Sequence, residues 1–139
     1  MENCLFCQIA AGQIPAAKVY EDDQVLAFLD ISQTTKGHML LIPKKHVRNV
    51  LEMDGELAQT VFARLPKLAR ALQQATKASG MNIINNNEEI AGQTVFHAHI
   101  HLIPRYGLDD GLQIHFTAHE PDGSALSRLA EQISSEVRK

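Results

Sequence analysis

Three histidines alternate with small and aliphatic residues in the stretch His97–Ile103, which reads H-A-H-I-H-L-I. A period of two residues is the period of a β-strand, in which successive side chains point to opposite faces. The sequence therefore predicts a strand that carries His97, His99 and His101 on one face and apolar residues on the other. The alternative is a row of solvated histidines, but three imidazoles in register have little packing reason to exist on an exposed strand.

The remaining hydrophobic patterns predict one α+β domain over residues 1–139, in which 107–139 form a C-terminal extension. We expect a mostly antiparallel sheet of about five strands, one long helix and a C-terminal helix. The predicted strands are 18–21, 24–29, 38–42, 81–85 and the histidine strand. The predicted helices are 4–12, 55–79 and 124–138. In the long helix Asp54 is the expected N-cap, Pro66 should kink or split the helix, and Gly80 should end it.

The charge pattern excludes several classes of function. The net charge is only −3, and no cluster of Lys and Arg is interleaved with aromatic residues, so we expect no nucleic-acid partner. No apolar run approaches 18 residues, so we expect no membrane span. The amino terminus lacks a basic segment followed by an apolar one, which favours a cytoplasmic location.

Cys4 and Cys7 form a C-x-x-C motif and are the two cysteines of the chain. A redox pair of the thioredoxin type would need a βαβ setting, which does not follow here. Half of a zinc site is the better interpretation, provided that two further ligands come from elsewhere in the chain.

A row of histidines supports either metal binding or covalent catalysis with one imidazole as the nucleophile. The residues beside the row are neutral hydrogen-bond donors, which suit phosphate oxygens better than a metal shell. They are Gln93, Thr94, the amides around Gly92 and Asn86. His38 lies on an otherwise apolar strand face, where a structural role is the usual one.

The run G-Q-T-V-F-H-A-H-I-H-L-I-P-R at 92–105 resembles the signature of the histidine-triad (HIT) superfamily of nucleotide hydrolases and transferases. Further similarity lies in F-C-Q-I-A-A-G-Q-I-P, V-Y-E-D-D and F-L-D-I within residues 5–31, in G-H-M-L-L-I-P-K-K-H at 37–46, and in the asparagines at 85–87. The resemblance covers about residues 4–106 and implies a HIT-like fold.

The resemblance implies a double displacement at an α-phosphate, with His99 as the nucleophile that forms a nucleotidyl–imidazole intermediate. His101 and His38 would donate to the phosphate oxygens, and Gln93 and Thr94 would contact the phosphate or the leaving group. An acceptor on the other ring nitrogen should fix the tautomer of His99.

The family positions that bind the nucleoside also have counterparts in this chain. Asp30 matches the residue that accepts hydrogen bonds from the ribose, and Ile31 and Phe6 match the walls around the base. Asn86 matches the asparagine on the phosphate side, although the neighbouring asparagines leave that register open.

Some bacterial members with the C-x-x-C motif are similar in carrying a structural zinc ion. Its ligands here would be Cys4, Cys7, His46 and His97, which leave no open position for catalysis. We expect no catalytic metal.

The branch of the family decides the expected substrate. The segments I-P-A-A-K-V-Y-E-D-D and P-K-K-H favour the bacterial Hint-like group of purine nucleoside phosphoramidases. One alternative is a dinucleoside polyphosphate hydrolase, which H-L-I-P-R-Y suggests. Two others are a nucleotide-binding interaction protein with incidental turnover and a metallohydrolase that uses the triad as zinc ligands. The resemblance also implies a homodimer, formed by extension of the sheet and by the long helix.

Overall fold

The computed structural model describes residues 3–139, which form an antiparallel sheet of five strands in the order β1-β2-β3-β5-β4. The strands are β1 (Lys18–Glu21), β2 (Val25–Leu29), β3 (Met39–Pro43), β4 (Gly80–Ile84) and β5 (Ile100–Arg105). The helices are α1 (Leu5–Ala10), α2 (Gly55–Ala63), α3 (Leu65–Thr76) and α4 (Gly123–Val137), with short 3-10 turns at Val50–Glu52 and Glu89–Ala91. The predicted α+β class is confirmed. The predicted domain begins with Met1 and Glu2, which lie outside the described residues.

Both faces of the sheet are buried, because the central strands alternate apolar side chains toward each face. One face packs against α2 and α3 through Val25, Ala27, Met39, Leu41, Val61, Leu68, Leu72, Ile100 and Leu102. The other packs against α1 through Phe6, Ile9, Leu26, Phe28, Leu40 and Ile42. Ile100 and Leu102 therefore face α2 and α3, as the alternation predicts, and His101 lies beside Leu40 on the α1 side.

The predicted long helix is two helices. Pro66 lies in the first turn of α3, where its missing N–H costs no hydrogen bond, so the chain breaks just before it. Asp54 caps α2 as predicted, accepting a hydrogen bond from the backbone of Leu57. The predicted end at Gly80 is wrong, because the chain leaves α3 at Lys77 in a left-handed conformation (φ 59°) and Gly80 already belongs to β4.

The histidine strand begins later than predicted, at Ile100 rather than at His97. The backbone before it is bound by other partners. The N–H of Ala98 donates to the carbonyl of Val47, and the carbonyl of His99 accepts from the side chain of Asn85. These bonds fix the first part of the triad outside the ladder of the sheet.

The C-terminal helix forms as predicted, but its apolar stripe is largely exposed within residues 3–139. Each side chain of that stripe is half-exposed or more: Leu126, Leu129, Ile133 and Val137.

No helix among the described residues has the length and the apolar character that a membrane span requires.

Candidate functional site

A cavity of about 380 Å³ lies between α1 and the sheet, on the face that carries the histidines. Apolar side chains make up most of its wall, and the polar groups Asp30, Ser32, Thr94, His99 and His101 lie at one side. A volume of this size, apolar with a few converging polar groups, is typical of a small-molecule site. The structure thus brings six predicted site residues to one cavity: Phe6, Asp30, Ile31, Thr94, His99 and His101.

His99 is buried in the cavity wall with a defined tautomer. Its Nδ1 lies 2.8 Å from the backbone carbonyl of His97, and a carbonyl only accepts, so Nδ1 carries the proton. The lone pair of the neutral ring is then on Nε2. Burial lowers the pKa of His99, against an opposing effect of the carbonyl bond and of Asp30. The site therefore favours the neutral, nucleophilic form of His99 and contains the acceptor that the sequence could not identify.

His101 is linked to His38 in a chain of hydrogen bonds. The backbone N–H of Thr34 donates to Nδ1 of His38 at 3.3 Å, which leaves the proton of a neutral His38 ring on Nε2. That nitrogen lies 2.9 Å from Nδ1 of His101 and donates to it. His101 therefore carries its own proton on Nε2. Burial, with the nearby charges of the other two imidazoles, lowers the pKa of His101 to about 4.

His38 lies directly before β3, next to His101 of β5. It is buried and does not line the cavity, and its Nε2 contacts Nδ1 of His101. The prediction that His38 donates directly to phosphate oxygens stays a prediction, and the geometry favours an indirect effect of His38 through His101. The two imidazoles meet because His38 precedes β3, which pairs with β5 in the sheet.

Asp30 and Ile31 lie at the mouth of the cavity. One carboxylate oxygen of Asp30 accepts from the backbone of Ser32 at 2.8 Å, and the other lies 3.7 Å from Nε2 of His38. The second oxygen retains lone pairs for a hydroxyl donor. Ile31 is fully exposed, so it forms a rim rather than a closed wall.

Phe6 forms the inner wall beside His99. The two rings meet edge to face, with centroids 5.0 Å apart, and Phe6 makes a similar contact with Phe28 at 5.6 Å. α1 thus packs its aromatic residue directly against the candidate nucleophile. Sequence reasoning missed several apolar residues of this wall, because their spacing looks like ordinary core packing: Ile9, Ile14, Phe28, Leu29 and Leu40.

The side-chain amide of Gln93 is hydrogen-bonded within the fold, which favours a structural role, and its predicted contact with phosphate stays a prediction. Gln93 is 1% exposed, and its amide is fully used. Its Nε2 donates to the carbonyls of Arg48 and Val95, and its Oε1 accepts from Asn49 and from the N–H of Glu88. Its neighbour Thr94 does reach the cavity.

The three asparagines before the triad divide their roles. Asn85 donates to the carbonyl of His99, and Asn87 bonds to Asn85 and to the backbone of Val50. Unlike the other two, the side chain of Asn86 makes no hydrogen bond to another residue within 3–139. It lies against Gly92, outside the wall of the cavity. This distribution favours Asn86 as the asparagine that is available to a ligand.

A second cluster, of sulfur and nitrogen atoms, lies behind the start of the triad. Cys4 Sγ and His97 Nδ1 are 3.3 Å apart, Cys7 Sγ and His46 Nδ1 are 3.3 Å apart, and Cys7 Sγ and His97 Nδ1 are 3.4 Å apart. All four ligand atoms lie within 4.8 Å of one another. Tetrahedral zinc, with bonds of about 2.3 Å to sulfur and about 2.0 Å to nitrogen, separates such atoms by about 3.5 Å.

The chemistry around His97 also fits a metal ligand. Its Nε2 lies 2.7 Å from the carbonyl of Pro43 and must donate to it, which leaves the lone pair on Nδ1, the atom that faces the cysteines. His97 is fully buried, and burial lowers its pKa to about 4, so the ring is neutral at pH 7. The residues therefore fit a zinc ion with two cysteine and two histidine ligands.

The geometry argues against the triad itself as a metal site. The ligand atom of His97 belongs to the cysteine cluster, whereas His101 groups with Asp30 and His38. The Nδ1 proton of His99 is held by a carbonyl. The three triad imidazoles therefore do not converge on one point in the described chain.

The sequence matches a known family over most of its length. The family model described as HIT domain matches residues 11–108. A Bacillus subtilis protein named "Protein hit" is 57% identical over 138 residues, which cover 99% of this chain and 94% of that protein. A Schizosaccharomyces pombe protein named adenosine 5′-monophosphoramidase is 35% identical over 136 residues, covering 98% of this chain and 99% of that protein.

Solved structures with a similar fold are also known. A crystal structure of a protein from Streptococcus mutans is 65% identical in sequence and superposes with a TM-score of 0.95. The match covers 99% of this chain and 87% of the other. At this identity and coverage the likeness extends to the family as well as to the fold, and it includes the C-terminal helix beyond residue 108.

Proposed function

The chain belongs to the histidine-triad (HIT) family, and we propose that it is a nucleotide phosphoramidase or hydrolase that acts at an α-phosphate through a covalent nucleotidyl–histidine intermediate. The product would be a nucleoside monophosphate. The observation that carries this proposal is the tautomer of His99, whose Nδ1 proton is held by the carbonyl of His97. A neutral imidazole with its lone pair on Nε2, in the wall of a nucleoside-sized cavity, is the arrangement that nucleophilic attack on phosphorus requires.

The reaction would proceed in two displacements. In the first, Nε2 of His99 bonds to phosphorus while the bond from phosphorus to the departing nitrogen or oxygen breaks, and the leaving group takes up a proton. The hydroxyl of Thr94, in the same cavity wall, is the group that we assign to the leaving atom. In the second, a water molecule attacks phosphorus and gives a proton back to the Thr94 oxygen, the phosphorus–nitrogen bond breaks, and His99 is restored with its lone pair on Nε2.

His101 would stabilise the charge on the phosphate oxygens. Its Nε2 proton is the one left for a ligand, because its Nδ1 accepts from His38. A preorganised donor of this kind acts most strongly where water is excluded, and removing one such donor in other enzymes costs about 10²–10³-fold in kcat.

The substrate would be a purine nucleotide derivative. The apolar wall around Phe6 and Phe28 suits a flat base, and the free carboxylate oxygen of Asp30 suits a ribose hydroxyl. The S. pombe relative, by its name, acts on an adenosine phosphoramidate. A dinucleoside polyphosphate is the alternative, and comparison of kcat/KM for an adenosine phosphoramidate and for diadenosine polyphosphates decides between them. A clear preference for the second class would overturn our choice.

The covalent mechanism is tested by His99→Ala, beside His119→Ala as a control at an exposed histidine. We expect His99→Ala to lose activity by more than 10³-fold and to lose the nucleotidyl adduct that mass spectrometry detects on the unaltered protein. His119→Ala should keep both. If the unaltered protein has negligible activity and His99→Ala still binds adenosine 5′-monophosphate normally, the protein is a nucleotide-binding module instead.

We further propose a structural zinc ion held by Cys4, Cys7, His46 and His97, with no metal in the reaction. The ion would tie α1 to the start of the triad and so hold Phe6 against His99. Protein purified without chelator should contain one zinc ion per chain, and chelation should lower thermal stability. The absence of stoichiometric zinc would refute this assignment, whereas abolition of activity with the fold intact would favour a metallohydrolase.

A homodimer and a cytoplasmic location complete the proposal. β4 is an edge strand on which Ile83 is exposed, and the apolar stripe of α4 is largely exposed in the described chain, so a second copy would cover apolar surface. Light scattering at micromolar concentration tests the dimer. The unpaired thiols of Cys4 and Cys7 suit a reducing compartment.

A further inference from the structure

The segment Tyr106–Leu112, which we call the brace, leaves β5 and folds back over residues 30–38, the β2–β3 loop. Contact between the two is closest at Gly111, whose φ is +120°. A Cβ at this position would overlap the carbonyl oxygen of Thr34. Two backbones approach this closely only where one of them is glycine, so Gly111 allows the brace to pack directly on the loop at Thr34.

The brace is rigidly attached to the sheet. The carboxylate of Asp110, whose side chain is 6% exposed, accepts from the guanidinium of Arg105 at 2.9 Å and from the backbone N–H of Tyr106 at 2.8 Å. Arg105 in turn donates to Asn82 of β4 at 2.7 Å and to the carbonyl of Leu112 at 2.9 Å. The ion pair and these hydrogen bonds hold the pKa of Asp110 below its usual range. The brace is therefore an ordered extension of β5.

Two further bonds fasten the β2–β3 loop to this end of β5. The hydroxyl of Tyr106 donates to the carbonyl of Lys36. The hydroxyl of the buried Thr35 donates to the carbonyl of Pro104 at 2.6 Å. With the Gly111 contact, these bonds hold the loop at three consecutive residues, 34, 35 and 36.

The loop carries the group that orients the imidazoles. The backbone N–H of Thr34 donates to Nδ1 of His38, and Nε2 of His38 donates to Nδ1 of His101. Oδ2 of Asp30, 3.7 Å from Nε2 of His38, also favours a proton on that nitrogen, so two groups support this tautomer. Loss of the Thr34 bond would remove one of them and make accessible the alternative in which His38 carries its proton on Nδ1 and accepts from His101. The Nε2 of His101 would then present a lone pair to the cavity, which repels phosphate oxygens.

We propose that the brace is a positioning element for the reaction: through Gly111 and Tyr106 it holds Thr34 in place, and Thr34 thereby sets the tautomers of His38 and His101. This inference rests on the proposed function for its effect on catalysis, but its structural core, the tautomer of His101, can be measured independently. His101 is uncharged near pH 7, since burial lowers its pKa to about 4, so its two ring nitrogens are distinguishable there.

The test compares Gly111→Ala with Gly107→Ala. Gly107 lies in the same brace, but its φ is not positive and no atom lies within 4 Å of a Cβ built there. Long-range ¹H–¹⁵N spectra of the histidine rings report the tautomers. We expect Gly107→Ala to keep His101 protonated on Nε2, and Gly111→Ala to show loss of that single tautomer. In Gly111→Ala, kcat should fall about tenfold, with a smaller change in KM. This loss is smaller than the about 10²–10³-fold that follows complete removal of a hydrogen-bond donor to the transition state.

Tyr106→Phe is the milder second variant, in case Gly111→Ala does not fold. It removes the hydroxyl that binds Lys36, and we expect the same direction of change, about twofold to threefold in kcat. Unchanged His101 tautomers in every folded variant would overturn the inference, even if kcat falls. If the unaltered protein has no activity on any nucleotide, the proposed function fails, and the spectra still decide whether the brace sets the tautomers.

Discussion

Replacing Gln93 by leucine tests whether its side chain stabilises the fold through hydrogen bonds or binds phosphate. The amide makes four hydrogen bonds, two as donor to the carbonyls of Arg48 and Val95 and two as acceptor from Asn49 and the N–H of Glu88. Each such bond contributes about 1 kcal/mol net to stability. Leucine leaves these four groups without that partner, which costs about 4 kcal/mol. Its greater apolar character offsets about 1 kcal/mol.

We therefore expect Gln93→Leu to lower the free energy of unfolding by about 3 kcal/mol. Urea denaturation at fixed protein concentration measures this loss as a lower midpoint at a similar m-value. Gln59→Leu, at an exposed position of α2, is the matched control and should lie within about 0.5 kcal/mol of the unaltered protein.

A different outcome would refute this reasoning. If Gln93→Leu unfolds within 1 kcal/mol of the unaltered protein but loses more than about 10²-fold in kcat/KM, the amide acts on the substrate and the buried arrangement is not the functional one. Loss of stability with kcat/KM kept in the folded fraction supports the structural role.

The remaining predictions concern His101 and Phe6. The pKa of His101 in the folded chain, about 4, lies below its ordinary value of 6.5, so the unfolded chain binds more protons between those values and stability falls as the pH falls. Because solvent partly screens the ring, the unaltered protein should lose only about 1 kcal/mol more than His101→Gln between pH 7 and 4.5. An equal loss of unfolding free energy for the two proteins, measured by urea denaturation at both pH values, would contradict this. Phe6→Ala should destabilise the fold by about 3 kcal/mol and weaken binding of adenosine 5′-monophosphate about tenfold in calorimetry, because the ring is buried against His99 and Phe28; an unchanged Kd would remove Phe6 from the base site.

Much of the fold was predictable because it depends on local patterns. The apolar runs of β2 and β3, the alternation in the histidine strand, the cap at Asp54 and the break at Pro66 each involve residues that are neighbours along the chain. The end of α3 was not predictable from Gly80, since Lys77 adopts the left-handed conformation that glycine usually supplies.

Part of the candidate site was also predictable from the sequence. The alternation of the triad determined which face carries His99 and His101, and the family resemblance identified four residues whose sulfur and nitrogen atoms do lie together. Both depend on the order of residue types along the chain, which the sequence contains in full.

Only the tertiary structure decided which partner each polar group meets. Gln93 looked like a phosphate ligand because a free amide suits phosphate, but the chain brings Arg48 and Asn49 against it from more than 40 positions away. His38 likewise meets His101 across the β3–β5 pair, and Gly111 meets Thr34 after the chain has turned back on itself. A hydrogen-bonding group has the same donors and acceptors in any fold, so the sequence determines its chemistry, whereas the packing of distant segments determines whether that chemistry is left for a ligand.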